Sequence, residues 1–243
     1  MNILSKLVEI IYPPRCHACN GFLNKDHSEG ESAFFCRACA ADFNWIASPL
    51  CPICSTPFIS DTQEDHLCED CLRLRPFYDA VYACYLYSGA IMKAIHQFKY
   101  GSKTFFAESL GPLLAQAAES WAVKSDNLLT VPVPLHPKRL RERGFNQSLL
   151  LARHVAGQLD TELDFLSLRR LKYTLPQTGL GKEERQKNVR GAFHMENPDA
   201  VKGKTILLVD DVATTGNTLN ECARVLRKCG CESVYCAVLA RAG

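Results

Sequence analysis

Two adjacent aspartates follow an apolar run in the last fifth of the chain. The segment reads ILLVDDVATTGNTL over residues 206–219, so the two acids are Asp210 and Asp211. A run of four apolar residues predicts an inner strand, and open α/β sheets bind their ligands at the carboxyl ends of such strands. Two carboxylates at that position are suited to accept hydrogen bonds from the hydroxyl groups of a sugar.

A turn of small and hydroxyl-bearing residues connects the acids to a predicted helix. Such a turn exposes successive main-chain N–H groups beside a helix N-terminus, which is an anion site suited to a phosphate monoester. A glycine in the turn permits a positive φ or a close approach of the main chain. The predicted phosphate-binding residues are Val212, Ala213, Thr214, Thr215, Gly216, Asn217 and Thr218. Two acids so close to a phosphate would repel it unless hydroxyl groups or a cation intervene.

A basic run follows the predicted strand at 128–134, in a segment predicted to be a long polar loop. The run contains Lys138, Arg139, Arg141 and Arg143. Guanidinium groups bind pyrophosphate through paired hydrogen bonds, and the loops that follow parallel strands gather at one sheet edge. The run therefore predicts an anion-binding group, and Gly144 permits a close approach of the main chain. A solvated basic face is the simpler alternative.

The segment between these two motifs is long, polar and glycine-bearing, and it spans residues 171–193. One interpretation is a mobile lid that excludes water from a charged reaction. The other is an exposed loop with a short helix at 182–188. The lid interpretation assigns ligand contacts to Gln177, Lys182, Arg185, Asn188 and Arg190.

Eight of the thirteen cysteines form four CxxC pairs within the first 71 residues. The pairs are Cys16–Cys19, Cys36–Cys39, Cys51–Cys54 and Cys68–Cys71. Both thiolates of a CxxC pair can bind one tetrahedral ion, so two pairs complete a four-thiolate zinc site. We predict two structural zinc ribbons, at 16–39 and 51–71, with an interleaved pairing as the alternative. Metal binding would then drive the folding of a segment that has few large apolar residues.

The remaining histidines and cysteines of interest are not needed as ligands. His17, His27 and His66 lie near sites that cysteines already fill, and a swap of one for a cysteine is the minor alternative. Of the five other cysteines, Cys84 and Cys222 lie in apolar patterns and are predicted to be core residues, as is Cys236.

Strand-like and helix-like patterns alternate through the C-terminal two thirds of the chain. Strands are predicted at 78–88, 128–134, 205–211 and 233–240, and helices at 90–101, 105–123, 146–159 and 217–230. The alternation predicts an α/β fold with a mostly parallel sheet flanked by helices. Pro112 is a possible break in the second helix. The opening residues, up to Pro13 and Pro14, predict a short amphipathic helix, with a membrane-surface anchor as the alternative.

Length and composition fit one large or two modest domains. The chain has 243 residues, of which 47% are hydrophobic, and a net charge of +2, which excludes a disordered polyelectrolyte. Residues 1–77 contain six basic and ten acidic residues, against 22 basic and 16 acidic in 78–243, so anionic ligands are expected in the C-terminal part. No apolar run approaches the roughly 18 residues of a membrane span. The opening segment lacks signal-peptide features, and we expect a cytoplasmic protein with reduced thiols.

The motifs together resemble those of the ComF family. The matching segments are the CxxC pairs, PVPLHPKRLRERGFNQ at 132–147, QTGLGKEERQKNVRGAF at 177–193 and VDDVATTGNT at 209–218. The resemblance spans roughly residues 10–240. It implies a double zinc ribbon at 1–76, with the short N-terminal helix, fused to a type I phosphoribosyltransferase domain at 77–243. It also implies a link to natural competence and DNA uptake, and some relatives are linked to gluconate use.

The resemblance also implies a substrate, phosphoribosyl pyrophosphate (PRPP), which similar enzymes bind with Mg²⁺. By position, Asp210 and Asp211 would be the catalytic acids that hold the ribose hydroxyls, and residues 213–218 would hold the 5′-phosphate. The residues implied to lie on the pyrophosphate side of the ligand are Arg139, Arg143 and Gly144. One hypothesis is a phosphoribosyltransferase that acts on an unidentified acceptor. The other is a non-catalytic PRPP-binding scaffold or sensor, associated with single-stranded DNA and with DNA-uptake or recombination proteins.

The zinc ribbons are one predicted contact surface for single-stranded DNA. Their candidate residues are Arg37, Arg73, Arg75, Phe34, Phe35 and Trp45, since cations and stacked aromatic rings bind single strands without sequence preference. The acidic balance of this segment counts against such a role. The preferred interpretation is that these aromatic side chains pack around the zinc sites.

Overall fold

The computed structural model describes residues 13–23, 33–59, 64–100, 103–121, 125–173 and 189–243. The predicted N-terminal helix, His27 and the lid candidates Gln177, Lys182, Arg185 and Asn188 lie outside these residues. The strands are β1 (Ala80–Leu86), β2 (Leu128–Pro132), β3 (Glu162–Leu163), β4 (Leu168–Arg170), β5 (Phe193–Met195), β6 (Thr205–Ala213) and β7 (Ser233–Arg241). The helices are α1 (Arg37–Ala41), α2 (Glu69–Arg73), α3 (Gly89–Tyr100), α4 (Ala107–Ser120), α5 (Pro137–Arg143), α6 (Gln147–Leu159) and α7 (Asn217–Lys228).

Five strands form the main sheet in the order β1-β7-β6-β2-β3, and every neighbouring pair is parallel. The long apolar strands β6 and β7 lie at its centre because both of their faces are covered. Leu207 of β6 packs in a cluster with Leu110 of α4 and Leu151 of α6. Leu208, on the other face, packs in a cluster with Leu219 of α7. The predicted α/β fold, with helices on both faces of a parallel sheet, is confirmed.

Helix α4 corrects the prediction of a break at Pro112. The helix runs unbroken from Ala107 to Ser120 with the proline inside it. The ring of Pro112 faces solvent, whereas Leu110 and Leu114 are fully buried. Burial of that apolar face offsets the hydrogen bond that a proline removes from a helix.

A second correction concerns the basic segment after β2, which is a helix and not a long loop. Pro137 occupies the first turn of α5, a position that proline tolerates well. His136 caps the helix by accepting a hydrogen bond from the main-chain N–H of Lys138 at 3.1 Å. Gly144 ends the helix in the left-handed conformation, with φ at +85°.

Three short strands were not predicted, namely β4, β5 and β3, which has two residues. Strands β4 and β5 pair antiparallel in a separate two-stranded sheet. Each has three residues, which is too short for the alternation that identifies a strand in a sequence.

The cysteine-rich segment covers β1, which is an edge strand of the main sheet. Leu86 donates its N–H to the carbonyl of Asn44 at 2.8 Å, and Val81 donates to the carbonyl of Ile53 at 2.7 Å. The exposed edge of a sheet is a site of unwanted strand pairing unless another segment covers it. The cysteine-rich segment therefore protects the main sheet at this edge.

The ribbon segments also share the hydrophobic clusters of the main sheet. Phe35 packs in the cluster that contains Phe98 of α3, and Ile53 packs in the one that contains Val81 of β1. The sequence boundary at 76/77 therefore does not separate two independent cores. None of the helices in the described part of the chain is long and apolar enough to cross a bilayer.

Candidate functional site

A cleft of about 370 Å³ lies at the carboxyl ends of β2 and β6. Both acids and all seven residues of the 212–218 turn line it, together with Arg139 and Arg143. The structure therefore brings together two motifs that lie about 70 residues apart in the sequence. They meet because β2 and β6 are neighbours and parallel, so the segments that follow them emerge at one sheet edge.

The two acids have different surroundings. The Ser148 hydroxyl donates to Oδ1 of Asp210 at 2.8 Å, and the N–H of Asp211 donates to the same oxygen at 2.9 Å. Burial and the neighbouring Asp211 carboxylate raise the pKa of Asp210 to about 6, although Ser148 and Lys99 oppose this. Asp211 is only 6% exposed and forms an ion pair with Lys99.

Lys99 forms an ion pair with one acid of the pair. Its Nζ lies 3.0 Å from Oδ1 of Asp211, and its side chain lines the cleft. Burial alone would lower the pKa of Lys99, but the carboxylates of Asp211 and Asp210 outweigh it and raise that pKa. The sequence analysis missed this residue, since nothing in the pattern of α3 indicates which of its polar side chains reaches β6.

What we call the 212–218 turn spans the end of β6, the connecting residues 214–216 and the start of helix α7. Gly216 is the N-cap residue with φ at +72°, and no side chain caps the helix. A Cβ at this position would lie 3.1 Å from the hydroxyl of Tyr78, so both the backbone angle and the available space require glycine. Thr215 Oγ1 and Asn217 Nδ2 are buried with no hydrogen-bond partner among the described residues. Buried polar atoms without partners are rare in folded proteins, and here they line a cleft, as in a ligand site.

The two arginines predicted for the pyrophosphate side lie one helical turn apart on α5. Arg139 and Arg143 are half-buried in the cleft, whereas Lys138 and Arg141 are exposed. Arg143 donates to Oε1 of Gln147 at 2.7 Å. The amide nitrogen of Gln147 is buried and has no partner in the described part of the chain, so it is a further donor that the sequence analysis did not single out.

Two residues from the sequence analysis do not line the cleft. Gly144 is exposed at the end of α5, where it is the helix C-cap. Arg190, the one lid candidate inside the described residues, is exposed, and its carbonyl accepts a hydrogen bond from Lys172 at 3.3 Å. The adjacent Gly191 donates its N–H to Glu221 of α7 at 2.6 Å.

Two exposed tyrosines flank the cleft, and each has a cation above its ring. We call Tyr100 and Tyr173 the aromatic rim. Arg143 lies 5.5 Å from the ring centre of Tyr100, and Lys138 lies 4.4 Å from that of Tyr173. Tyr100 is 62% exposed and Tyr173 is 39% exposed. The sequence analysis did not single out either tyrosine, because they meet the basic helix only in the folded chain.

The cysteines form two separate clusters, and they pair sequentially. Within each cluster the four sulfur atoms lie within 4.8 Å of one another. The clusters are Cys16, Cys19, Cys36 and Cys39 in ribbon 1, and Cys51, Cys54, Cys68 and Cys71 in ribbon 2. Four thiolates at such distances fit tetrahedral zinc with no open position, which is the pattern of a structural site.

The histidines near the clusters have other partners. His17 stacks on Phe106 with 4.2 Å between ring centres, and its Nδ1 lies 2.8 Å from the Ser109 hydroxyl. His66 stacks on Phe58 at 3.9 Å. The expectation that both are surplus as ligands is consistent with these contacts.

The candidate DNA-contacting residues of the ribbons differ in exposure. Phe35 is buried and packs against Phe43, whereas Trp45 is 52% exposed and packs edge-on against Tyr85. Arg73 forms an ion pair with Glu69. The packing interpretation therefore holds for Phe35, and Trp45 packs on one side while the rest of its surface faces solvent.

The comparisons with known proteins agree with this architecture. Residues 7–72 match the family model of the double zinc ribbon domain, and residues 146–243 match that of the phosphoribosyl transferase domain. The molecule is thus a double zinc ribbon joined to a phosphoribosyltransferase domain.

Relatives with the same combination identify the family. The chain is 30% identical over 233 residues to "Competence protein F" of Haemophilus influenzae, a match that covers 94% of this chain and 97% of the relative. It is 32% identical over 210 residues to "DNA utilization protein YhgH" of Salmonella typhimurium, covering 85% and 89%. The chain is 28% identical over 207 residues to "Competence protein ComFC" of Bacillus subtilis, a match that covers 80% of this chain and 78% of the relative. The chain belongs to the ComF family.

The zinc clusters predict a metal content. Protein purified without added metal should contain about two zinc ions per chain by elemental mass spectrometry. Cys51→Ser removes a ligand from ribbon 2, so the content should fall to about one and the free energy of unfolding should drop by several kcal/mol. Cys229→Ser, a half-buried cysteine outside both clusters, is the matched control and should retain both ions. A wild-type content near one would contradict the second cluster.

The raised pKa of Asp210 predicts a pH-dependent stability. The pKa is about 6 in the folded chain and about 4 when unfolded, so this carboxyl favours folding most below pH 4, and that contribution is lost as the pH rises through 6. Asp210→Asn keeps an acceptor for Ser148 but carries no charge. In urea denaturation at pH 8 it should be more stable than wild type by about 1–2 kcal/mol. The difference in the free energy of unfolding between the variant and wild type should be smaller at pH 5.5. Equal stabilities of the two proteins at pH 8 would contradict the raised pKa of Asp210.

Proposed function

We propose that this protein binds PRPP with Mg²⁺ in the cleft and transfers its phosphoribosyl group to an acceptor. The observation that carries the proposal is the meeting of three groups of side chains at one sheet edge. These are the acid pair, the donor-rich 212–218 turn and the arginines of α5. An activated sugar phosphate has hydroxyl groups, a monophosphate and a pyrophosphate, and each has a complementary group in the cleft.

The 5′-phosphate occupies the 212–218 turn in this proposal. The first turn of α7 has no side-chain cap, so its N–H groups and the positive end of the helix dipole are directed at the anion. The hydroxyl of Thr215 and the amide of Asn217, which lack partners among the described residues, complete the set of donors.

The ribose and the pyrophosphate lie on the other side of the turn. Asp210 and Asp211 accept hydrogen bonds from the two ribose hydroxyls, while Lys99 limits the negative charge that the anion meets. Arg139 and Arg143 bind the pyrophosphate oxygens through their guanidinium groups. Mg²⁺, when bound, neutralises charge on the pyrophosphate and so makes it a better leaving group.

The transfer breaks the bond between the anomeric carbon and the pyrophosphate oxygen, and a nucleophile of the acceptor forms the new bond. Positive charge develops at the anomeric carbon before the new bond is complete. The carboxylates of Asp210 and Asp211 are fixed in position by Ser148 and Lys99, so they stabilise this charge without reorganising. The departing pyrophosphate keeps the electron pair of the broken bond, and the arginines stabilise it.

The location follows from the zinc ligands. Eight thiolates that hold zinc must stay reduced, and a cytoplasmic setting provides that condition. PRPP is a polar, highly charged molecule, and the same compartment would provide it.

Asp211→Asn tests the proposed binding site. The substitution removes a charged acceptor for a ribose hydroxyl, so the Kd for PRPP with Mg²⁺ should rise about 10- to 100-fold in isothermal titration calorimetry. Asp126→Asn replaces an exposed aspartate outside the cleft and should leave the Kd unchanged. Wild-type protein incubated with PRPP and a panel of nitrogenous bases should release pyrophosphate. No heat of binding to wild type would contradict the proposed site, and binding without release would favour the scaffold.

The scaffold associated with single-stranded DNA is the second candidate function, and the aromatic rim favours it. Tyr100 and Tyr173 are exposed beside the cations of α5, which provides stacking surfaces next to phosphate-binding groups. The surface of the ribbons is a weaker candidate because Phe35 is buried and Arg73 is paired.

Replacing the rim tyrosines tests this candidate. Tyr173→Ala and Tyr100→Ala should each weaken binding of a labelled oligo(dT) at least about fivefold in fluorescence anisotropy, since a stacked base contributes roughly 1–3 kcal/mol. Phe165→Ala, at an exposed aromatic residue outside the cleft, is the control. The wild-type affinity should fall steeply with added salt. No detectable binding at low salt would contradict the second candidate.

A further inference from the structure

Helix α3 lies between ribbon 1 and the cleft. Gln97 and Lys99 are two residues apart on it, so their side chains leave the helix roughly 200° apart. Gln97 contacts ribbon 1, and Lys99 contacts Asp211 in the cleft. The same short segment of helix therefore touches both the metal-binding module and the acid pair.

We call each CxxC turn of ribbon 1 a knuckle. The first knuckle, Cys16–Cys19, contacts the C-terminal part of α3. The amide nitrogen of Gln97 donates to the carbonyls of His17 at 3.3 Å and Ala18 at 3.0 Å. These two residues are the ones between the ligands Cys16 and Cys19. A knuckle that closes around an ion therefore presents two main-chain carbonyls to this side chain.

The second knuckle of ribbon 1 holds the other end of the helix. Cys36 is the N-cap of α1, Cys39 lies within that helix, and Asp42 is its C-cap. The Asp42 carboxylate accepts the main-chain N–H of Ala90 at 2.8 Å, in the first turn of α3. A Cβ on Gly89 would lie 2.4 Å from the same carboxylate, so the close approach needs glycine at this position.

The cysteine cluster joins the two knuckles to each other. Its four sulfur atoms lie within 4.8 Å, so one ion would fix both points that hold α3. Apolar contacts also hold α3 against ribbon 1. Cys16 and Phe35 of the ribbon pack in one cluster with residues of the helix, namely Ile91, Ile95 and Phe98.

We propose that ribbon 1 is a positioning element of the sugar-phosphate site, which fixes α3 through Gln97 and Asp42 and thereby holds Lys99 against Asp211. The inference rests on the proposed function of the cleft. A lysine side chain has four rotatable bonds, and holding its ammonium group at one carboxylate requires a backbone that does not shift. Without that ammonium group, two adjacent acids would face the incoming phosphate.

Gln97→Leu removes both hydrogen bonds to the first knuckle without a large change in volume. The Kd for PRPP with Mg²⁺ should rise about three- to tenfold, while the zinc content stays at two. The matched control is Gln158→Leu, which removes an exposed amide contact to Glu119 on the surface of α6. The control should bind PRPP as wild type does. A wild-type Kd for Gln97→Leu would overturn the proposal.

A double-mutant cycle distinguishes positioning from general destabilisation. If Gln97 acts through Lys99, then Gln97→Leu should have no further effect on the Kd once Lys99→Met has been introduced. If Gln97→Leu raises the Kd by the same factor in wild type and in Lys99→Met, then Gln97 does not act through Lys99 and the proposal is wrong.

A measurement on the ligand-free protein separates this inference from the proposed function. The NMR signal of the Lys99 side chain in isotope-labelled protein can be assigned by its loss in Lys99→Met. In wild type this signal should titrate at a higher pH than those of the other lysines, and in Gln97→Leu its titration should move back toward theirs. An unchanged Lys99 signal in Gln97→Leu would overturn the inference even if PRPP binds. A failure of wild type to bind PRPP, with the expected change of the Lys99 signal, would overturn the proposed function and leave the link between ribbon and lysine established.

Discussion

The ion pair between Lys99 and Asp211 is the interaction on which the cleft depends. Two adjacent carboxylates repel each other and any anion nearby, yet Asp210 and Asp211 lie directly before a turn with the features of a phosphate site. Lys99 lies 3.0 Å from Asp211 and limits the negative charge, and the Ser148 hydroxyl donates to Asp210. Burial and, after it, the Asp211 carboxylate still raise the pKa of Asp210 to about 6. A site that remains under electrostatic strain can interact strongly with a cationic centre, which is what an anomeric carbon becomes as its leaving group departs.

The order of the strands determines which groups meet that ion pair. Strand β6 lies between β7 and β2, and all three are parallel. The turn after β6 and the helix after β2 therefore emerge side by side, which places the arginines of α5 opposite the acid pair. Helix α3 follows the edge strand β1, so Lys99 comes from the far side of the sheet. The cleft is thus lined by residues from four segments of the chain, which are residues 87–100, 133–148, Arg170 of β4 and residues 210–219.

Functional residues that are close together in the sequence could be predicted, whereas residues that meet only through long-range contacts could not. The acid pair, the turn and the start of α7 lie within ten residues, so their grouping at one site could be predicted from their order. The four CxxC pairs predicted two zinc clusters, and the structure decides for the sequential pairing over the interleaved one. Lys99 could not be identified, because its partner is more than 100 residues away. The helical state of the basic segment was missed because Pro137 was not considered as a first-turn residue. Gly144 was assigned to ligand approach, although a glycine after a basic helix is equally a C-cap.

Two of the ten acidic residues in the N-terminal segment 1–77 have structural roles that do not involve a ligand. Asp42 accepts the N–H of Ala90 at the start of α3, and Asp65 accepts the N–H of Leu50 at 2.8 Å beside the second cluster. These carboxylates satisfy main-chain donors, which an uncharged side chain would do less strongly. Since the ribbons also cover the edge strand β1 and share both hydrophobic clusters, their metal-dependent folding energy is available to the phosphoribosyltransferase domain. An ion bound by ribbon 1 would therefore also stabilise the surroundings of the cleft, because Gln97 and Asp42 connect that ribbon to α3.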